Sequence, residues 1–501
     1  MGPLAFTPPA VEFTDVLPLL IWLGTLCAVL LLGALVPAVL RGRYALVTFA
    51  SAVAVAVQQA MKWSDLGSEP TGTALSDAVA VDRFAVLATM VIAVALGLVA
   101  PVLHDHLARR DSDGPEPWAM FLTAAMGAQI MVSANDLLVL FLGLETLSLS
   151  LYVLAASNRR NARSQEAGLK YFILGGFSSA FFLYGIALVY GATGSTNLTT
   201  VATRLQGSVS LAGDDALLLL GIGLLLVGLG FKVSAVPFHA WTPDVYQGAP
   251  SPVTAFMASA GKVAAFAALL RLLTTALERR ADDWRPVVWA LALLTVFVGS
   301  VMAVVQTDVK RMLAFSSVSH AGFVLVGVEA ASHGAPGLSS SMTYLLIYTV
   351  LVIGSFSVVT VVAGDSDDAT SLSDFRGLAR RRPALALGFT VLLLAQAGMP
   401  ATSGFIAKFG VINSAVEAHS YVLAVAAMVG AVIAAFLYLR IMVSMWLEDA
   451  DDGDAPRVPR ATGAVIAVAV AFTLFVGVFP GWLLDAGNLV DLFRPVAAPQ
   501  G

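Results

Sequence analysis

What constrains this chain most is a succession of long apolar runs cut by short charged or Gly/Pro-rich interruptions. Most are close to the roughly 20 residues needed to cross about 30 Å of hydrocarbon. Fourteen such runs are read, near 16–40, 44–61, 81–103, 117–134, 136–156, 167–191, 216–247, 251–275, 286–306, 312–329, 339–363, 384–419, 420–446 and 461–485. In lipid a segment must satisfy its own backbone hydrogen bonds, so the expected fold class is an all-α polytopic membrane protein. Composition agrees: 58% of residues are hydrophobic and 12% charged, against roughly 25% charged in soluble domains. Every loop is short, so no soluble catalytic domain is expected, and chemistry on a cytosolic substrate would need a partner chain.

The net charge of −5 suggests neither nucleic acid nor a strongly basic lipid-binding surface. The single cysteine, Cys27, excludes an internal disulfide and a cluster held by four thiolates. No basic residue precedes the first apolar run, so the N-terminus is expected to be retained rather than cleaved as a signal peptide. Orientation follows from Lys and Arg in the loops. With the N-terminus outside, the inner loops hold Arg41, Arg43, Arg109, Arg110, Arg159, Arg160, Arg163, Lys310, Arg311, Arg376, Arg380, Arg381, Arg382, Arg457 and Arg460. The outer segments hold only Lys62, Arg204, Arg279, Arg280, Arg285 and Arg494. Both termini are therefore expected outside.

The remaining basic residues fall inside the runs. Arg83, Arg271 and Arg440 lie toward helix ends, where they can snorkel. Lys170, Lys232, Lys262, Lys408 and Glu145 sit deeper. At about 2.5–3.5 kcal/mol per central charge, these five cost on the order of 12–17 kcal/mol to insert. The sequence uses 22 Arg and 6 Lys, yet the deep cations are all Lys. Arg cannot release its proton at accessible pH, whereas a desolvated Lys can. The pattern selects groups able to pass a proton. The competing reading, that each Lys neutralises a helix end or locks packing against Glu145, fits best at Lys170, near its helix start. Two histidines join the candidates: His239, just after a break in the seventh run, and His320, mid-helix in Ser316-Ser-Val-Ser-His320. His104 and His106 are read as a solvated loop pair with no third metal ligand, and His333 and His419 as loop residues.

The seventh and twelfth runs, about 32 and 36 residues, are too long for one crossing. Pro237 must break the seventh beside Lys232, and Gly398, Pro400 and Gly404 break the twelfth beside Lys408. Unwound backbone at membrane depth is tolerated only where it is buried in protein or lines a wet cavity. Runs four to eight (117–275) and nine to thirteen (286–446) thus form two five-helix units, each broken in its fourth helix. Five is odd, so the second unit is inverted relative to the first, the sequence sign of an inverted-repeat transporter. Residues 1–116 and 461–501 flank this core. Gly221, Gly223, Gly228 and Gly230 are expected to permit close helix packing rather than to bind a nucleotide.

The stretch from His239 through Trp241-Thr-Pro-Asp244 to Ser251-Pro-Val-Thr-Ala-Phe256, then Gly261-Lys262-Val, resembles the signature of the antiporter-like, Mrp-related subunits of respiratory complex I. Asn135-Asp-Leu-Leu with Glu145, Thr307-Asp-Val-Lys310 through His320-Ala-Gly322, and Asp374-Phe-Arg376-Gly-Leu fit the same family. Lys408, where the M-type branch has Glu, and the short tail in place of the L-type's lateral helix favour the N-type branch. Gln247 and Ala240 depart from the usual pattern. The resemblance implies that Glu145 and Lys232 form the charge pair of one half-channel, that Lys262 is the central lysine and that Lys408 serves the outward half-channel. Lys170, His239 and His320 complete the candidate relay. It implies NADH, FMN, Fe–S clusters and quinone in partner subunits with no cofactor or metal in this chain, membrane-arm and peripheral-arm partners, and a bacterial cell membrane. The rival readings are an Mrp-type cation/proton antiporter subunit and a scaffold that only seals the membrane arm.

Overall fold

The computed structural model describes residues 12–36, 40, 42–67, 71–110, 113–205, 212–333, 336–449 and 455–493, without the side chains of 212–214. The expectations for residues 1–11, Arg41 and Arg494 fall outside these. Twelve described helices are long and apolar enough to cross a membrane, which makes this a multi-pass helical membrane protein. In sequence order, spans one to three are Phe13–Leu35, Tyr44–Asp65 and Arg83–Ala108. Spans five and six are Leu137–Ala155 and Ala162–Thr193, and span seven crosses as Asp215–Val233. Spans eight to eleven are Ser251–Ala276, Glu278–Val304, Val309–Ala331 and Gly337–Ala363, and spans thirteen and fourteen are Tyr421–Trp446 and Arg460–Val478.

Two expected runs are not among the twelve. Span four, Pro115–Ser133, is diluted by Glu116, Thr123 and Gln129, and it can be, because most of it is buried inside the bundle. Span twelve is split into Pro383–Ala397 and Ser403–Glu417, 15 residues each and too short to cross alone. Fourteen counts apolar runs; twelve is the number of helices that meet the length and apolarity a crossing demands.

Spans eight and ten are wholly enclosed by other helices, and span eleven nearly so. That placement lets an apolar bundle hold Lys262 and His320, since neither meets lipid. Span six packs tightly on span seven because glycines remove the side chains between them. A Cβ at Gly228 would lie 2.5 Å from that of Phe182, and one at Gly221 3.0 Å from Val189. Both breaks appear where expected. Span seven ends at Val233, Ser234 is left-handed (φ +67°), the Val236–Pro237 bond is cis, and helix resumes at Trp241–Gly248. Span twelve breaks through Gly398 (φ +91°) and Ala401 (φ +65°).

Spans five and ten start in the same way. Asp136 caps span five at Leu138 N (2.8 Å) and accepts from Thr196 Oγ1 (2.7 Å), while Leu137 N donates to Thr196 O and Leu198 N to Asn135 O. Asp308 caps span ten at Arg311 N (3.0 Å) and accepts from Thr370 Oγ1 (2.6 Å), while Val309 N donates to Thr370 O and Leu372 N to Thr307 O. The same clasp recurs five helices apart, and so at opposite ends of the bundle if each helix crosses.

A close contact in span twelve gives a first prediction. A Cβ on Gly404 would lie 1.7 Å from the backbone oxygen of Ala395, where no side chain can yield. Gly404→Ala should displace the second half of span twelve, an overpacking cost of about 1–3 kcal/mol or more, and lower the amount of chain in the membrane. Gly223→Ala, which meets nothing within 4 Å, is the control and should leave that amount unchanged on immunoblots.

Candidate functional site

Each broken helix leaves backbone groups without intrahelical partners, and in each case a lysine sits at the break. Lys232 occupies the last turn of the first half of span seven and is 6% exposed. Its Nζ donates to Ser148 Oγ (2.8 Å) and Tyr171 Oη (3.1 Å), and it lies 5.3 Å above the Tyr171 ring. Lys408, one turn into the second half of span twelve, reaches back across the break to donate to Ala397 O (3.0 Å), the last residue of the first half. Its ammonium lies 4.9 Å over the Phe323 ring, a cation–π contact that partly replaces the lost water.

Lys262 lies between them. Span eight is interrupted by π-helical turns at Met257–Gly261 and Leu272–Ala276, and Lys262 directly follows the first. Such turns free backbone groups and favour functional positions. Lys262 Nζ donates to the backbone oxygen of Ser317, and Tyr348 Oη donates to Ser317 Oγ at 2.7 Å. His320, one turn along span ten, bonds Tyr344 Oη through Nδ1 (2.6 Å) and Tyr438 Oη through Nε2 (3.2 Å), and Tyr438 Oη also bonds Ser316 Oγ (2.6 Å). Ser317 and Phe323 are six residues apart, about 9 Å along span ten. That helix is therefore a common rail from Lys262 past His320 to Lys408.

Glu145 does not touch Lys232. It accepts from Ser179 Oγ on span six, while Ser148, one turn on, bonds Lys232. A small cavity with room for about one water lies against Lys232 and is lined also by Ser148, Tyr152 and Ser179, the residue that bonds Glu145. The expected charge pair is thus a pair at one remove. Glu145 and Ser317 each stand nine residues after their capping aspartates, Asp136 and Asp308. Where span five offers a carboxylate, span ten offers the carbonyl that Lys262 binds.

Between the Lys232 and Lys262 groups the rings of Tyr171, Trp241 and Tyr246 pack in succession, with Tyr171 stacked on Trp241 at 4.5 Å. Tyr246 Oη is buried without a protein partner, as is His239 Nδ1 in the turn after the break. Buried polar atoms of this kind mark places where water completes the bonding.

Several side chains lie elsewhere than the sequence reading put them. Lys170 is not in the buried row. It is 40% exposed and pairs with Glu166 (2.7 Å) and Asp244 (2.8 Å), and Asp244 also pairs with Arg311. A cation held by two carboxylates in the open has no need to exchange its proton along a path. Arg271 does not snorkel: it is 1% exposed and forms a bidentate pair with Asp82. His106 belongs to the last turn of span three and is buried, not a solvated loop residue, and Lys310 is buried rather than in a loop. The serines and tyrosines around the lysines and His320 do not stand out by composition, although Ser148 one turn after Glu145 and the Ser316-Ser317 pair one turn before His320 carry the spacing.

This chain is similar to known proteins over most of its length. Residues 134–434 match the family model described as NADH:quinone oxidoreductase/Mrp antiporter, TM. A protein named NADH-quinone oxidoreductase subunit N 3 from Streptomyces griseus is 42% identical, covering 98% of this chain and 96% of its own. A chain in respiratory complex I from Thermus thermophilus superposes with a TM-score of 0.77 at 32% identity, covering 95% of this chain and all of that one. A chain of the Mrp complex from Dietzia sp. superposes with a TM-score of 0.80 at 21% identity over 94% of this chain and 96% of its own, a likeness of fold alone.

Proposed function

The chain belongs to the NADH:quinone oxidoreductase/Mrp antiporter family, and on that premise we propose that it is the N-type, proton-translocating membrane-arm subunit of an NADH-quinone oxidoreductase. It works with the other membrane-arm and peripheral-arm subunits, spans a bacterial cell membrane with both termini outside, and moves protons rather than electrons. NADH, flavin, Fe–S clusters and quinone belong to its partners, a reading supported by the single Cys27. The two five-helix units, 117–275 and 286–446, carry the path as inverted repeats, a division supported by the repeated Asp136 and Asp308 clasps.

The observation that carries this reading is a buried set in which Lys232 donates to the Ser148 and Tyr171 hydroxyls, Lys262 and Lys408 donate to the backbone oxygens of Ser317 and Ala397, and His320 bonds Tyr344 and Tyr438, with no carboxylate directly on any of the three lysines. A lysine without a bonded carboxylate is free to lose its proton when the local field changes. Glu145, held by Ser179 and not bonded to Lys232, sets that field. When its charge is close, Lys232 holds its proton; when it moves away or is neutralised, Lys232 gives one up toward Lys262. Each proton moved against 100 mV requires about 2.3 kcal/mol, which quinone reduction in neighbouring subunits supplies.

Inverted membrane vesicles test it. Glu145→Gln and Lys232→Met, which remove charge while nearly keeping volume, should each lower NADH-driven acidification while the complex assembles at parent levels. Parent-rate acidification in both variants would return the row to packing. Replacing sodium by choline should change nothing, whereas sodium-dependent transport would favour a cation/proton antiporter.

A further inference from the structure

Of the six lysines, four are less than a tenth exposed, and one of these, Lys310, has no part in the row above. It sits in the first turn of span ten, 1% exposed, where the ends of spans three, eight and ten meet the loop after span eleven. Its Nζ donates to Ala249 O (2.6 Å) and lies 3.3 Å from Asp367 Oδ2. Asp367 in turn accepts from Ser251 N (2.8 Å) and Ser251 Oγ (2.6 Å), so the loop folds back onto the start of span eight. His106, 3% exposed, is a further titratable side chain buried at this end of span three.

Lys310 also faces the row. Ser317 is seven residues further along the same helix, two turns or about 10.5 Å away and within about 20° of the same face. Ser317 is the residue whose backbone oxygen holds Lys262. The elements bordering this interval carry two buried hydroxyls without protein partners, Tyr246 Oη and Thr349 Oγ1, each able to bind a bridging water. Burial alone would raise the Asp367 carboxyl, but Lys310, His106 and the Ser251 bonds outweigh it and hold the group below its ordinary range. The Asp367 carboxylate therefore persists at neutral pH, and its contribution to holding the loop is lost as pH falls through that lowered range.

We propose that Lys310, held by Asp367, is the inner-face port through which protons reach Lys262, an inference that rests on the proton-path reading given above. In the loaded state Lys310 carries its proton beside the Asp367 carboxylate. It gives that proton to the water line along span ten, the free amine of Lys262 takes one from the other end, and Lys310 is reprotonated from the inner aqueous side. Lys262 then passes its proton on toward Lys408, so that one N–H bond breaks and one forms at Lys310 and at Lys262 per cycle, with no net change in the protein. The port reading also accounts for the residue type: Arg would satisfy the Asp367 and Ala249 acceptors equally well but could not let go of its proton.

The test compares Lys310→Arg, Lys310→His and Lys310→Gln with Lys262→Met in the assembled complex, read as NADH-driven acidification of inverted vesicles per unit of complex. Lys310→Arg should fall about tenfold or more, since a proton-transfer step assisted by a placed side chain is commonly accelerated by 10²–10⁴. Lys310→His, a poorer fit that still titrates, should retain more than Arg or Gln. A purely structural pin gives the reverse order, with Arg at the parent rate, and overturns the port. If Lys310→Arg does not accumulate, His against Gln carries the test, and equal rates in those two overturn it. Loss in Lys262→Met with normal pumping in Lys310→Arg refutes the port alone, whereas normal pumping in both refutes the port together with the reading it rests on.

Discussion

Arg271→Met is expected to deplete this subunit from the membrane more than any single change in the lysine row. Arg271 and Asp82 are 1% and 0% exposed, and their bidentate pair joins the C-terminal end of span eight to the start of span three. Arg271 Nε also donates to Val132 O of span four, and Asp82 accepts from Ala85 N and from Phe493 N of the C-terminal segment. Four parts of the chain are therefore fastened at one point. Removing the guanidinium leaves a buried carboxylate with two backbone donors and no counter-charge, a loss of about 3–5 kcal/mol by the usual cost of breaking a buried pair. Replacing both partners by apolar residues of similar volume is often nearly neutral. The double variant Arg271→Met, Asp82→Leu should therefore recover more protein than Arg271→Met alone, measured by immunoblot and thermal extraction from membranes. Equal depletion in single and double variants would show that the stacking of the Arg271 guanidinium over Phe84, not the charge pair, holds this corner.

That corner shows where sequence reading ends. The spans are legible because lipid imposes a rule on every apolar run, and Pro237 breaks its helix whatever surrounds it. Lys232, Lys262 and Lys408 stand out because their cost in an apolar run is local. The partner of Arg271 is not local: Asp82 is 189 residues away, and from sequence alone an arginine near a helix end reads as a snorkeller. Lys170 and Lys310 show the same limit as a pair. Both stand a few residues from the start of an apolar run, so hydropathy gives them similar weight. Lys170 meets Glu166 and Asp244 in the open, whereas Lys310 is buried because the loop carrying Asp367 folds back onto Ser251. His106 looked solvated as half of an HxH pair, but span three continues to Ala108 and carries it inside. Opposite charges make Glu145 and Lys232 conspicuous in the sequence, but nothing there shows what lies between them. Ser148 and Ser179, ordinary in composition, occupy the space between.

Lys408→Arg is the second change expected to have a large effect, and it separates charge from proton exchange. Lys408 donates to Ala397 O at 3.0 Å and sits over Phe323 at 4.9 Å. A guanidinium can make both contacts, so the break in span twelve should stay closed and the complex should assemble. The chemistry differs: Arg stays protonated at accessible pH, so a path that requires this site to empty and refill would stop. Acidification per complex should fall to the level of Lys408→Met, although one variant keeps the charge and the other removes it. Pumping at the parent rate in the Arg variant would mean that Lys408 acts only as a fixed charge across the break. The proton would then have to leave the row earlier, through His320 and its bonds to Tyr344 and Tyr438. Under that outcome Tyr344→Phe, which removes the Nδ1 partner while keeping the ring, becomes the variant that stops transport.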